Sequence, residues 1–210
     1  MRKSKVLIST FLLTLFVLGM TGCSSKKTKP FDRDEIIKQW EQNNIQKHDP
    51  AKENIQYAAV GDSMVGEYFT DCDKEDIRVL DDNEFGVFFE QDPIVRLDRA
   101  KVKYDEDVEL DVCLVEFTNA DEAQEYVDKV FEEIKKTDDE TLKTFDKMVK
   151  GRDQKIAVVN DIEYKFVGLY TANEKVVIVQ GVYMHHNCIR NAYVDLFGYT
   201  ITTPAQVVDA

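Results

Sequence analysis

The sequence is poor in several residue types, and each shortage excludes a class of protein. Its 210 residues include four cysteines, four prolines and nine glycines. Four cysteines are too few for a disulfide-stapled scaffold of this size, and we find no low-complexity tract or internal repeat. Only the apolar run between Val6 and Leu18 is long, so nothing after it has the length of a membrane span. No His or Cys spacing is typical of a metal site, and we expect neither metal nor cofactor.

Acidic residues are in excess, with 40 Asp and Glu against 27 Lys and Arg and a formal net charge of −13. Nucleic acid phosphates are bound through Lys and Arg, so we expect no nucleic acid partner. Hydrophobic residues make up 43% of the chain and aromatic residues 10%, which argues against disorder. Residues 31–210 are long enough to bury one core, and we predict a single domain there.

The N-terminus consists of a short basic start, the apolar run and a break at residues 19–23. This order is typical of a secretory signal and not of a membrane anchor helix. The sequence Met20-Thr21-Gly22-Cys23 resembles the lipobox of bacterial lipoproteins, in which the cysteine is acylated and becomes the first mature residue. The resemblance covers the leader alone. It implies that residues 1–22 are a signal peptide and that Cys23 is the lipidation site.

Residues 24–30 are polar, lack large apolar side chains and end in proline, so residues 23–30 are predicted to be a lipidated cysteine and a flexible tether. By the lipobox resemblance, the lipid on Cys23 holds the chain at the extracytoplasmic face of the cell membrane. A further partner is an unknown protein or small ligand. Three cysteines remain if Cys23 is lipidated. Their sequence allows either one disulfide and one free thiol or three free thiols. They are Cys72, Cys113 and Cys188.

Hydrophobic periodicity predicts both helices and strands in residues 31–210. The clearest helix begins after Asn119, with Glu122 at its third position, and carries an apolar stripe to Ile134. Another helix begins after Asp32 and ends before Pro50. Further helices are predicted from Asp139 to a stop at Gly151 and over 187–197.

Alternating apolar residues over 108–114 predict a strand with Cys113 on its wet face. Strand-like runs follow at 155–159, 162–170 and 175–183, and the last is apolar on both faces at its centre. The segment 85–89 is a possible short strand. These elements predict an α+β domain in which helices pack on one face of a mainly antiparallel sheet.

The sharpest candidate for chemistry is His185-His186-Asn187-Cys188-Ile189-Arg190. It resembles the Ser-His-Gly-Cys-Ile/Val-Arg signature of L,D-transpeptidases, which cross-link peptidoglycan through a cysteine thiolate. That resemblance implies Cys188 as nucleophile, His186 as its partner and Arg190 as a substrate or oxyanion contact. Asn187 stands in place of the signature glycine, and His185 in place of serine.

We therefore rank a non-catalytic lipoprotein with a binding or interaction domain first, and in it Cys188 is a structural residue. The cell-wall cysteine enzyme is the alternative. A third class, a small-solute receptor, commonly uses two lobes around a cleft, for which this chain is short.

Overall fold

The computed structural model describes residues 31–51, 63–104, 108–198 and 200–210. The predicted signal peptide, Cys23 and the tether lie outside these ranges, as do residues 55–60, whose sequence is compatible with a strand or a helical turn. Within them the chain forms one sheet of eight strands with helices against both faces.

The strands are β1 (Ile45–Lys47), β2 (Met64–Phe69), β3 (Ile94–Tyr104), β4 (Val108–Phe117), β5 (Lys143–Val149), β6 (Arg152–Asn160), β7 (Tyr164–Ala172) and β8 (Lys175–Tyr183). The helices are α1 (Arg33–Gln42), α2 (Ala120–Ile134), α3 (His186–Phe197) and α4 (Pro204–Val208), with a 3₁₀ segment at Lys74–Leu80. Across the sheet the order is β1-β2-β3-β4-β8-β7-β6-β5. β1 and β2 are parallel, and every other neighbouring pair is antiparallel.

The prediction of helices packed on one face of the sheet is wrong. Strands dominate the domain, and the buried residues form two cores on opposite faces of the sheet. The first core contains side chains from α1, α3 and α4, and the second contains side chains from α2 and the 3₁₀ segment. Strands that are covered on both faces lose the apolar–polar alternation. The sequence pattern therefore does not show that both faces of the sheet are covered by helices.

Cys113 shows the same effect within one strand. Its predicted position on a wet face is wrong, because its side chain is fully buried in the second core. Val108, Leu110 and Val112 face the first core on the other side of β4, as the alternation predicts. The strand itself is confirmed and extends to Phe117.

The helix predicted from Asp139 is also wrong, because residues 143–149 form edge strand β5. Most of its side chains are exposed, so β5 shows no strand periodicity, and pairing with β6 determines its conformation. Lys150 and Gly151 both have positive φ, at 51° and 77°, and connect β5 to β6. Two such residues match the right-handed twist of a hairpin, so Gly151 belongs to a turn and not to a helix end.

Several local predictions are confirmed. The side chains of Asp32 and Asn119 accept hydrogen bonds from the backbone N–H of Glu35 and Glu122, at 3.2 and 2.9 Å, and cap α1 and α2. The strand predicted over 175–183 has those bounds. By contrast, α1 ends at Gln42, earlier than predicted, and residues 85–89 form neither a strand nor a helix.

The first described residue lies at one end of the sheet. The ring of Phe31 packs under the guanidinium of Arg152, the first residue of β6, with 5.1 Å from the guanidinium carbon to the ring centroid. Beside it, Arg33 forms a two-armed ion pair with the buried Asp98 of β3, with Nη2 to Oδ1 at 2.8 Å. The hydrogen bond to Asp98 raises the pKa of Arg33. These contacts fix the start of the domain at the sheet end that also carries Lys175.

Candidate functional site

A cavity of about 720 Å³ lies on the sheet face that also carries the second core. Side chains from five neighbouring strands form its floor, and residues 82–85, which follow the 3₁₀ segment, form one wall. The lining includes Val65, Glu67, Lys101, Lys103, Glu109, Asp111, Lys165, Gln180 and Val182, together with Asp82, Asn83, Glu84 and Phe85.

The strand register explains where the cavity begins. In β4 and β8, Cys113 pairs with Ile178 under the second core, whereas two residues further along Asp111 pairs with Gln180 in the cavity. Side chains two positions apart lie on the same face of a strand, so one sheet face changes from apolar to polar at this row. β3 changes in the same way from Leu97 toward its lysines. The cavity is the part of this face that α2 and the 3₁₀ segment leave uncovered.

Most charged groups of the cavity are paired within the domain. Lys165 Nζ donates to Glu84 Oε1 at 2.8 Å, and this hydrogen bond raises the pKa of Lys165. Lys103 pairs with Glu109 on the adjacent strand. Arg99 lies on β3 between Leu97 of the second core and Lys101 of the cavity. Its Nη2 donates a hydrogen bond of 2.8 Å to Oδ1 of Asp111.

Three groups of the lining are exceptions. Lys101 and Asp82 are exposed and form no ion pair or hydrogen bond with any residue that the structure describes. Gln180 is 8% exposed, and its Nε2 donates a long bond of 3.4 Å to the carbonyl oxygen of Val79. Its buried Oε1 has no hydrogen-bond partner within the described ranges. A buried acceptor without a donor is destabilising, so a donor from a ligand would be favoured there.

The segment that resembles the transpeptidase signature lies elsewhere, at the start of α3. His186 and Arg190 are one helical turn apart and both contact the carboxylate of Asp209. His186 Nδ1 lies 3.2 Å from Asp209 Oδ1, and Arg190 Nη2 pairs with Oδ2. The rings of Tyr164 and Tyr183 pack against the His186 ring, with centroids 4.8 and 5.7 Å away.

Cys188 is half-buried and packs against the first core. It lies two residues from both His186 and Arg190, and two residues of an α-helix are about 200° apart around its axis. The structure therefore brings His186 and Arg190 together on Asp209 and directs Cys188 to a different side of α3. Cys72, Cys113 and Cys188 are all outside disulfides.

Acidic residues also cluster around Lys155, which lies in a different part of the sheet. Its ammonium contacts carboxylates of Asp128, Asp146 and Asp153, at 3.2, 2.7 and 3.2 Å. Burial alone would lower the pKa of Lys155, but hydrogen bonds and the charges of these carboxylates raise it. The cluster thus already contains its own cation. In the part of the chain that the structure describes, no group of three His, Cys, Asp or Glu side chains is arranged to hold a metal ion.

No family model matches the chain, and searches of curated proteins and of solved structures gave no significant match. Among the described residues, none of the helices has the length and apolar character needed to cross a membrane. The assignment of a function therefore depends on the residues of the cavity and of the leader.

No sequence pattern within a single element indicates the cavity. Its signal is present only when the strands are aligned: β4 and β8 are each apolar on both faces in one half and polar on one face in the other. The register that places Asp111 beside Gln180 joins strands separated by α2 and three strands, so a single strand read alone does not reveal it.

Proposed function

We propose that this protein is a non-catalytic lipoprotein of the extracytoplasmic membrane face that binds a small ligand in the sheet cavity. The observation that carries the proposal is the cavity, whose volume of about 720 Å³ lies within the range of small-molecule sites. Charged and amide side chains outnumber apolar ones such as Val182 and Phe85 in the lining, so the cavity suits a polar or charged ligand better than an apolar one.

The position of the first described residue supports attachment of the domain at the end of the sheet opposite the cavity. Phe31 comes eight positions after Cys23, and an extended chain of that length spans at most about 30 Å. Phe31 lies near Glu116 at one end of β4, and Glu109 at the other end of β4 lines the cavity. The seven residue steps from Glu109 to Glu116 correspond to about 20 Å of strand. A lipid on Cys23 would thus attach the domain through the end of the sheet that is farther from the cavity.

The arrangement at α3 favours this function over a cysteine enzyme. A catalytic histidine has to reach the thiol that it activates, and Cys188 lies about 200° around α3 from His186, on a different side of the helix. Arg190 pairs with the carboxylate of Asp209. Its guanidinium is therefore already occupied by the kind of group that it would bind in a substrate.

A cavity-filling substitution tests the proposal. The melting temperature of the full chain, purified in detergent, is measured with a panel of amino acids, short peptides, sugars and organic acids. A ligand that binds only the folded protein raises it. We expect Val182→Trp to abolish this rise, because the indole would occupy the cavity, whereas Val194→Trp on the exposed side of α3 should retain it.

Two results would contradict the proposal. One is a panel in which no compound raises the melting temperature of the unmodified chain. The other is a rise that persists unchanged in Val182→Trp, because the ligand would then bind outside the cavity.

A further inference from the structure

We infer that the sheet cavity binds a short peptide of about three residues with free termini. This inference rests on the proposed function, since it names the ligand class of the same cavity. Such a peptide carries a carboxylate at one end and an ammonium group at the other, with amide groups between them.

The inference begins with the charges that the domain already neutralises. Lys103 and Lys165 bind Glu109 and Glu84, and Asp111 binds Arg99. The carboxylate of Glu67 already has a hydrogen-bond partner, because His48 Nδ1 lies 2.8 Å from its Oε2. A ligand gains little from these groups, because it would have to displace a partner that is already in place.

One cation and one carboxylate are left for a ligand. Lys101 and Asp82 line the cavity without an ion pair to any residue of the described ranges. A ligand with a single charge would pair with either Lys101 or Asp82 and would leave the second residue without an oppositely charged partner. A zwitterion is complementary to both.

The sheet geometry sets how far a ligand has to extend from Lys101 to the opposite side of the cavity. Lys101 lies on β3, and Gln180 lies on β8, with only β4 between those strands. Two strand spacings correspond to about 10 Å, which is also the length of three extended residues. The wall that carries Asp82 approaches the sheet at β8, because Val79, three residues before Asp82, accepts the hydrogen bond from Gln180. A tripeptide that starts at Lys101 therefore extends to the side of the cavity where this wall lies.

Gln180 gives an independent reason to favour a peptide over another zwitterion. Its buried Oε1 lacks a donor in the described part of the chain, and Gln180 lines the cavity on β8, two strands from Lys101. A backbone N–H of the ligand is a donor at the position where a peptide would carry one. Val65, Val182 and Phe85 offer apolar contacts for small side chains.

Titration calorimetry of the full chain in detergent tests this inference with trialanine as the probe. We expect trialanine to bind, and N-acetylation or C-terminal amidation to weaken its affinity at least tenfold. Lys101→Gln should weaken binding of trialanine about tenfold but leave the affinity of the amidated peptide unchanged. Asp82→Asn should likewise weaken binding of free trialanine about tenfold but leave the affinity of the N-acetylated peptide unchanged.

Lys129→Gln is the matched control, because it removes a lysine charge outside the cavity, where Lys129 pairs with Glu90. It should leave all affinities unchanged. Equal affinity for free and capped peptides would overturn the inference, as would a Lys101→Gln effect of the same size on the amidated peptide. If trialanine does not bind but another compound binds the unmodified chain and no longer binds Val182→Trp, the peptide inference is wrong and the proposal of a ligand-binding cavity is retained. If no compound binds, the proposed function itself fails.

Discussion

At the scale of single residues, the domain keeps its buried charges in pairs. Asp98 is 1% exposed and is held by Arg33, and Lys155 is surrounded by three aspartates. A buried charge without a partner is strongly destabilising, so such pairs are difficult to alter one residue at a time. Lys101 and Asp82 of the cavity are exposed and have no such partner among the described residues, so a ligand can pair with them without displacing another group.

Val127→Asp is expected to unfold the domain. Val127 is fully buried on the apolar stripe of α2, and an unpaired carboxylate there costs several kcal/mol, which is about the total stability of a domain. Thermal denaturation followed by circular dichroism measures the effect. The control is Val194→Asp, the same change at a helical valine that is 65% exposed, and it should leave the melting temperature almost unchanged. A normal melt for Val127→Asp would show that this face of α2 is not essential to the core.

The cysteines are expected to react slowly with an alkylating reagent near neutral pH, followed residue by residue by mass spectrometry. Burial raises the pKa of the Cys72 thiol to about 11 and raises that of Cys113 further, so little thiolate is present. A raised folded-state pKa stabilises the domain below the ordinary thiol value of about 8.5. For Cys72 this contribution is lost as the pH rises from there through about 11.

Cys188 separates the two functional hypotheses in the same experiment. As a structural residue it reacts more slowly than a free thiol, and Cys188→Ala costs about 1 kcal/mol while ligand binding is retained. Labelling faster than a free model thiol would instead indicate an activated thiolate. The cell-wall cysteine enzyme would then become the leading hypothesis.

At the scale of elements, two glycines determine how closely the central strands approach. Gly66 of β2 pairs with Val102, Val102 with Leu110, and Leu110 with Gly181 of β8, in one row across four strands. A Cβ on Gly66 or Gly181 would collide with the carbonyl oxygen of Lys101 or Glu109, respectively, and these are backbone atoms that cannot move independently. The same carbonyls belong to residues that line the cavity. The close approach of these strands, on the sheet face opposite the cavity, therefore fixes the positions of the strands that form the cavity floor.

Gly181→Ala should destabilise the domain by about 1–3 kcal/mol, because the added methyl forces β4 and β8 apart. Urea denaturation measures the free energy of unfolding. Gly86→Ala is the comparison: a Cβ there has open space but a φ of 63°, so its cost is limited to about 1 kcal/mol of backbone strain. If both variants were equally stable, the strand contact at Gly181 would not constrain the sheet.

The elements that sequence analysis predicted are those with local signals. The caps Asp32 and Asn119 and the stripe of α2 depend on neighbours three or four residues away, and they are confirmed. β5 could not be predicted in this way, because its conformation depends on pairing with β6 and most of its side chains remain exposed. The cavity depends on the register of five strands and on the wall at residues 82–85, which no local pattern contains. α4 was missed although Thr203 and Gln206 form a capping box.

At the scale of the whole molecule, the cavity and Phe31, the first described residue, lie toward opposite ends of the sheet. This separation suits the proposed lipoprotein, because a domain held through the residues before Phe31 would keep its held end and its binding end apart. The sequence is acidic overall, with a net charge of −13, so under the same proposal an anionic membrane surface would repel the domain while a lipid on Cys23 held it.

Cys23→Ala is expected to abolish anchoring. The variant should remain uncleaved by the lipoprotein signal peptidase and should incorporate no labelled fatty acid, because the acylated thiol is missing. Metabolic labelling with a palmitate analogue, followed by membrane fractionation, measures both. Cys188→Ala is the matched control and should be labelled like the unmodified chain. Labelled fatty acid in Cys23→Ala would show that the lipobox interpretation is wrong.

The strand order also has a consequence for how the domain folds and unfolds. β1 to β4 form one block of neighbouring strands and β5 to β8 another, and in the described sheet the backbone pairing between the blocks is that of β4 with β8. That seam joins strands separated by α2 and three further strands, so it closes a long loop and is expected to form late. The cavity floor crosses the seam where Asp111 pairs with Gln180. A ligand that lies from β3 to β8 therefore bridges the two blocks, and we expect it to slow the unfolding of the chain as well as to raise its melting temperature.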